Sequence, residues 1–325
     1  MGAFTCGDEN PAMKKALFYS ILSIMFVSLA VFAFMYQSAG NKFRDEMHTV
    51  ETRIYAMNDF VKDIEGDLDR VVHITGFRAL SAIVDEVITS GNYVNNVGPA
   101  FEEAFVNGTI GNKSALLMNE STFNDWLSRI QNISNELGIS VDVELKDLTI
   151  EHASPWLLNV STNISFFAVD LKETANWTRN ISIVKQIDIR GFEDPLYVLN
   201  SYGRATNLVN QTIHGGNYTS GSGPTFDPGN LEQHANNSLY AENANAPSYL
   251  MRLEGDLGPS PYGIESMVNL EKLGEQGLDV EEKSVIDYIY FSGNNPASLH
   301  VNKMPDWFMI DNARTDKYQV TGETY

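Results

Sequence analysis

The apolar positions along this chain change rhythm several times, and each rhythm predicts a different element. Residues 16–36, ALFYSILSIMFVSLAVFAFMY, are apolar throughout and carry no charge. At about 1.5 Å rise per residue they make roughly 30 Å of helix, the thickness of a bilayer's hydrocarbon core. Their polar members, Ser20, Ser23 and Ser28, can return hydrogen bonds to their own helix. Beyond this run Phe43, Met47, Val50, Ile54, Met57, Val61, Ile64, Leu68 and Val71 recur at alternating steps of four and three, with charged residues between them. That is a heptad seam. No proline occurs between Lys14 and Val97, so one helix is expected from the apolar run to about Ser90, with Gly66 and Gly76 as soft points. The seam suits a coiled-coil stalk or packing along the chain's own globular part. Its broadening after Val71 (Val72, Ile74, Phe77) favours the second.

Downstream, residues 99–106 and 122–137 read as shorter helices, the latter capped by Ser121 and ended by Gly138. Residues 139–150 alternate like a strand until the phase slips at Asp147-Leu148. Residues 158–168 alternate cleanly, with Leu158, Val160, Ile164 and Phe166 on one face and Asn159, Ser161, Asn163 and Ser165 on the other. A third strand starts at Asn176 after a connection at Lys172-Glu173-Thr174, and residues 183–189 add a further strand. The fold class expected is α+β: an N-terminal transmembrane helix continuing into a long amphipathic helix packed on an antiparallel β-sheet. The expected divisions are a cytoplasmic tail (1–15), the transmembrane helix (16–36), the long helix (37–97) and an α/β ectodomain (98–214). A polar loop or linker follows (215–247), then a region (248–325) that completes the ectodomain with strand-like segments at 284–291 and 307–310.

Asn-x-Ser/Thr triplets begin at Asn107, Asn112, Asn119, Asn132, Asn159, Asn163, Asn176, Asn180, Asn210, Asn217 and Asn236. Composition alone would give roughly four such triplets in a chain of this length. All eleven fall between residues 107 and 238, so they are both enriched and clustered. They are expected to carry N-linked glycans, which places this part of the chain outside the cell.

Charge narrows the function further. The net charge is −20 and the pI about 4.6, which excludes nucleic acid as a partner because phosphate binding needs clustered Lys and Arg. Cys6 is the single cysteine, so an intramolecular disulfide is impossible. A large glycosylated ectodomain without disulfides suggests an archaeal surface protein. Six scattered histidines show no ligand spacing, and no phosphate loop, dinucleotide fingerprint or nucleophile elbow is present. The acidic stretch 63–69 superficially resembles a calcium loop but keeps the phase of the helix seam. No catalytic residue, cofactor or metal is therefore expected.

Lys14 and Lys15 precede the apolar run and put the N-terminus in the cytoplasm, with the C-terminal domain outside a single-pass span. A signal peptide cleaved near Ser38-Ala39-Gly40 is the alternative to a retained anchor. The lysine pair, uncharged helix, long helical continuation and antiparallel sheet together resemble the plan of archaeal type IV pilin-like proteins. That resemblance implies processing at Lys15-Ala16 with cleavage before Leu17; Phe18 departs from the smaller residue usual there. The segments GFEDPL (191–196) and YGIESM (262–267) are similar to uncharacterised archaeal exported proteins, which carry no function to transfer. The expected function is a structural or adhesive role at the cell surface, as a pilin-like or pilus-associated subunit. Its partners would be the lipid membrane through residues 16–36, other surface or membrane subunits, and N-linked glycans. An extracytoplasmic ligand-binding or sensory module working with a partner membrane protein is the alternative.

Overall fold

The computed structural model describes residues 11–172 and 175–325. Cys6, and Glu173 and Thr174 of the expected hairpin connection, lie outside them, as do the side chains of Lys14 and Leu17. The chain forms two compact units. One comprises residues up to Lys62 with Lys172 and Ala175, and the other residues 63–171 and 176–325.

The first unit is the leading part of helix α1 (Pro11–Ser90). This is the one described helix long and apolar enough to cross a membrane. Its large apolar side chains stand open, from 39% exposed at Leu22 to 85% at Tyr36. Ser20 and Ser28 bond back to Ala16 O and Ile24 O at 2.6 and 2.5 Å, so their hydroxyls are satisfied within the helix. The first half of the heptad seam is also open: Phe43, Met47, Val50 and Ile54 are all exposed.

In the second unit the rest of α1 buries the heptad seam through Ile64 and Leu68 and then leaves it. Ile64, Leu68, Val72, Ala79, Leu80, Ile83 and Val87 are buried, while Val71 is only half-buried. The step after Leu68 is four, to Val72, where the heptad calls for three, because a helix of 3.6 residues per turn drifts off a seven-residue repeat unless it supercoils. Gly76 lies on this stripe, where a Cβ would meet Val160 Cγ2 at 3.3 Å and Ile187 Cδ1 at 3.5 Å.

Helix α2 (Val97–Asn107) is capped by Asn96 Oδ1, which accepts from Gly98 N at 3.0 Å, and stops at left-handed Gly108. A small ladder, β1 (Thr109–Ile110) with β2 (Lys113–Ser114), leads to α3 (Phe123–Glu136). The cap of α3 is Thr122 rather than Ser121. Thr122 Oγ1 accepts from Asp125 N, and Asp125 Oδ2 accepts from Thr122 N, each at 3.0 Å. Ser121 lacks the acidic partner three residues on that closes such a box.

Strands β3 (Ile139–Ser154), β4 (Leu157–Asp170) and β5 (Asn176–Asp188) form an antiparallel sheet with β4 central. Burial alternates along β4 as its sequence predicts, with Leu158, Val160, Ile164 and Phe166 inside. The phase slip at Asp147-Leu148 is a register shift between Lys146 and Thr149, with Asp147 at φ 51°. The separate strand expected at 183–189 is instead the second half of β5.

The remaining chain departs most from expectation. Helices α4 (Pro195–Asn200), α5 (Gly229–Asn236), α7 (Leu270–Glu275) and α8 (Asp287–Tyr290) share one core, and strand β6 (Ala241–Glu242), helix α6 (Tyr249–Glu254) and strand β7 (Ile264–Glu265) lie between α5 and α7 in the chain. Strands β8 (Ser298–His300) and β9 (Met309–Asp311) pair at its edge. Residues 215–247 are not a linker: Tyr218, Phe226, Leu231, Ala235 and Ala246 are buried in the core beside Ile286 and Tyr318. The 284–291 segment is not a strand either. It makes a single bridge, Met267 to Ile286, and then turns into α8.

Candidate functional site

Of the eleven sequon asparagines, Asn107, Asn112, Asn119, Asn132, Asn163, Asn176, Asn180, Asn210 and Asn217 are exposed, and Asn159 and Asn236 are half-buried. Asn159, Asn163, Asn176 and Asn180 share the open face of the sheet. Asn163 stands opposite Ser182, and Asn180 opposite Ser165, two β4–β5 rungs apart and so on the same face. The half-buried pair differ chemically from the rest. Asn159 Oδ1 is enclosed without a partner, and Asn236 Oδ1 accepts from Asn269 Nδ2 at 3.3 Å. At Asn132 the triplet's hydroxyl is taken, since Ser134 is fully buried and donates to Gln131 O at 2.9 Å. Lys15 and Ala16 are exposed on the first turns of α1, and Leu17 follows them on the helix.

The acidic stretch 63–69 is an ordinary helix face. Trp126 Nε1 donates to Asp67 Oδ2 at 2.8 Å, Glu65 pairs with Arg179 at 3.4 Å, and Asp69 pairs with Lys185. Burial disfavours the Asp67 charge, but the Trp126 and Arg70 hydrogen bonds outweigh it and lower its pKa.

The strongest electrostatic feature is one that no motif announced. Arg252, on α6, is fully buried and donates through Nη1 to Asp194 at 2.6 Å and Asp287 at 2.8 Å, and through Nη2 to Ile264 O. Asp194 also caps α4, accepting from Leu196 N at 2.9 Å, and receives the Tyr240 hydroxyl at 2.7 Å. Asp287 opens α8 and accepts from Ser266 N and Oγ at 3.1 and 2.8 Å. One guanidinium thus serves two carboxylates. Burial alone would pull the Arg252 pKa down, but Asp194 and Asp287 raise it above its ordinary value. Asp194 is raised by burial, against the pull of Arg252 and with the Asp287 charge adding to it. The GFEDPL and YGIESM segments meet here, the first supplying Asp194 and the second Ile264 and Ser266. With every charged member enclosed, the centre fixes helix positions and offers no access to a substrate.

A second buried carboxylate, Glu265, lies one residue from Ser266 and gathers Lys317, Tyr318 and Asn243. Nearby, His234 has its pKa lowered to about 3, by burial first and then by the charges of Lys317 and His214. A shallow groove of about 660 Å³ lies beside α7, lined by Trp307, Val280, Glu271, Glu282 and Asp306 among others. Among the described residues no group of His, Cys, Asp and Glu side chains has the arrangement to hold a metal ion. No protein-family model, curated protein or solved structure matches the chain.

Proposed function

We propose that this chain is an N-glycosylated, membrane-anchored archaeal surface protein with a structural or adhesive role, acting as a pilin-like or pilus-associated subunit. In this reading residues 16–36 of α1 sit in lipid, with the N-terminus cytoplasmic and the second unit extracellular. The later part of α1 packs on the inner face of the sheet and leaves the outer face for sugar. The observation that carries the reading is the placement of three exposed acceptor asparagines, Asn163, Asn176 and Asn180, on the open face of one sheet, within a cluster of eleven. Asparagine is usually exposed in any protein, so exposure alone decides little. Number and clustering are what favour glycans over a merely polar face. The uncovered apolar side chains between Phe18 and Tyr36 supply the matching requirement for lipid or for neighbouring subunits.

Mass spectrometry of the native protein tests this reading, taking the mature N-terminus and the occupancy of each sequon together. The expected result is a chain beginning at Leu17 with sugar on the exposed sites and none on Asn159 or Asn236. Bare asparagines throughout would overturn the glycoprotein reading, and an intact N-terminus would remove the filament mechanism. The second reading, an extracytoplasmic ligand-binding module, is favoured by the groove at Trp307, which lies in sequon-free sequence. A small molecule that raises the melting temperature of the natural chain, with the shift abolished by Trp307→Ala, would select it.

A further inference from the structure

Three side chains that the surface-protein reading does not use, Lys317, Asn243 and Glu265, meet at the Glu265 carboxylate. Glu265, on β7, is fully buried, and its two carboxylate oxygens are held by Lys317, Tyr318 and Asn243, with Arg314 Nε 3.8 Å from Oε2. Oε1 accepts from Lys317 Nζ at 2.5 Å, and Oε2 accepts from Asn243 Nδ2 at 2.6 Å. Asn243 directly follows β6, and its side-chain oxygen accepts the Asn245 backbone N–H at 3.0 Å. Lys317 Nζ also donates to Glu242 O, the carbonyl preceding Asn243, at 2.9 Å. The Tyr318 ring lies 5.1 Å from Nζ, and its hydroxyl donates to Glu265 Oε1 at 2.9 Å.

A plain ion pair would explain Lys317 on Glu265 and nothing more. It does not account for the primary amide on the other oxygen, whose own carbonyl accepts from Asn245 N two residues on, as in an Asx turn. The backbone is also shaped to this turn. A Cβ at Gly263 would fall 2.3 Å from Asn243 O and 2.1 Å from Ala246 O, so only glycine lets the chain leading into β7 approach so closely. An amine, an amide, a carboxylate bridging the two and a donor on the amide oxygen are the parts of an acyl transfer to nitrogen.

We propose that Lys317 and Asn243 become joined by an intramolecular isopeptide bond, with Glu265 as the catalytic residue. Glu265 takes a proton from the Lys317 ammonium, and the freed Nζ electron pair adds to Asn243 Cγ. The oxyanion that forms at Oδ1 is held by the Asn245 N–H. Glu265 passes its proton to Nδ2, the Cγ–Nδ2 bond breaks, and the amide nitrogen leaves. Ammonium plus primary amide become secondary amide plus ammonium ion, so atoms and charge balance without an oxidant or co-reactant. Holding both groups on one carboxylate replaces a bimolecular encounter with a positioned one. The product ties the β6 turn to the C-terminal segment, a covalent closure that a chain with Cys6 as its single cysteine cannot obtain from a disulfide.

The test is a tryptic peptide map of the full-length chain, made in a host that adds no N-glycan and unfolded before digestion. The expected product is a branched peptide joining residues 205–252 to residues 315–325, uncleaved at Lys317 and lighter than the two parts together by ~17 Da, the mass of ammonia. Lys317→Arg, Asn243→Ala and Glu265→Gln should each abolish the branched species. Separate peptides with cleavage at Lys317 in the natural chain would overturn the proposal, as would Asn243 recovered only as its deamidated form. The natural-chain result decides whether or not a variant folds.

Discussion

His234 offers a perturbation whose size follows from its surroundings. Its Nδ1 lies 3.1 Å from Thr212 Oγ1, and its Nε2 is enclosed without a partner. The rings of Tyr218 and Tyr318 flank it at 5.2 and 5.8 Å between centroids. Burial, followed by the charges of Lys317 and His214, takes its pKa down to about 3, against about 6.5 for an unfolded chain. Folding therefore favours the neutral ring. Between pH of about 6.5 and about 3 the unfolded chain binds the extra proton, so stability falls as pH drops through that window and is unaffected by this group above it. At about pH 4.5 the unfolded imidazole is almost fully protonated and the folded one is not, a difference of about 2–3 kcal/mol. His234→Gln removes the titration and keeps a polar atom for Thr212. Urea unfolding of the natural chain and the variant in detergent, at about pH 7 and about pH 4.5, isolates the effect because carboxylate titrations are common to both. The natural chain should lose about 2–3 kcal/mol more than the variant on acidification. Equal losses would refute the reasoning and mean that the ring is protonated or hydrated in the folded state.

Arg252→Met strands two buried carboxylates and should cost about 3–5 kcal/mol in urea unfolding, whereas adding Asp194→Asn and Asp287→Asn to it should recover part of that loss. Gly263→Ala sets a methyl group against two backbone carbonyl oxygens and should cost about 1–3 kcal/mol, with loss of the β6–β7 amide protection in hydrogen exchange. Thr122→Ala opens the α3 capping box and should cost about 1 kcal/mol in the same unfolding assay, with Ser121→Ala costing less.

The sheet and the long helix were legible because each exposes one face to a uniform environment, which writes a single period into the sequence. Strand β4 reads correctly in its facing for that reason, although it extends past 158–168 to Leu157 and Asp170, and even the bulge at Asp147 shows as a lost phase. The buried stripe of α1 was legible through Leu68 but not beyond it, since heptad and 3.6-residue patterns separate only over several turns. Residues 215–247 misled because Tyr218, Phe226 and Tyr240 enter the core from irregular backbone, where burial has no period, and Leu231 from a helix of barely two turns. SVIDYIYF read as a strand through its β-branched and aromatic content, yet it is enclosed on every side, and Asp287 serves Arg252 rather than solvent. The Arg252 centre was illegible for a simpler reason. Its partners lie 58 and 35 residues away in the chain, and no local spacing records contacts of that length.

The guarding of the sheet's two margins bears on how copies of this protein can associate. Strand β3 is interrupted by its bulge, which breaks the ladder another strand would need. Strand β5 pairs with β4 without a register shift, but Arg179 and Lys185 stand on its inner side, each answered by a carboxylate on α1 at Glu65 and Asp69. A foreign strand docking there would have to shield those charges from water or pull them from their partners. Both margins are thus closed to growth by different means. Copies are expected to associate through side-chain surfaces rather than by extending a common sheet, which keeps neighbouring copies from fusing into cross-β aggregates.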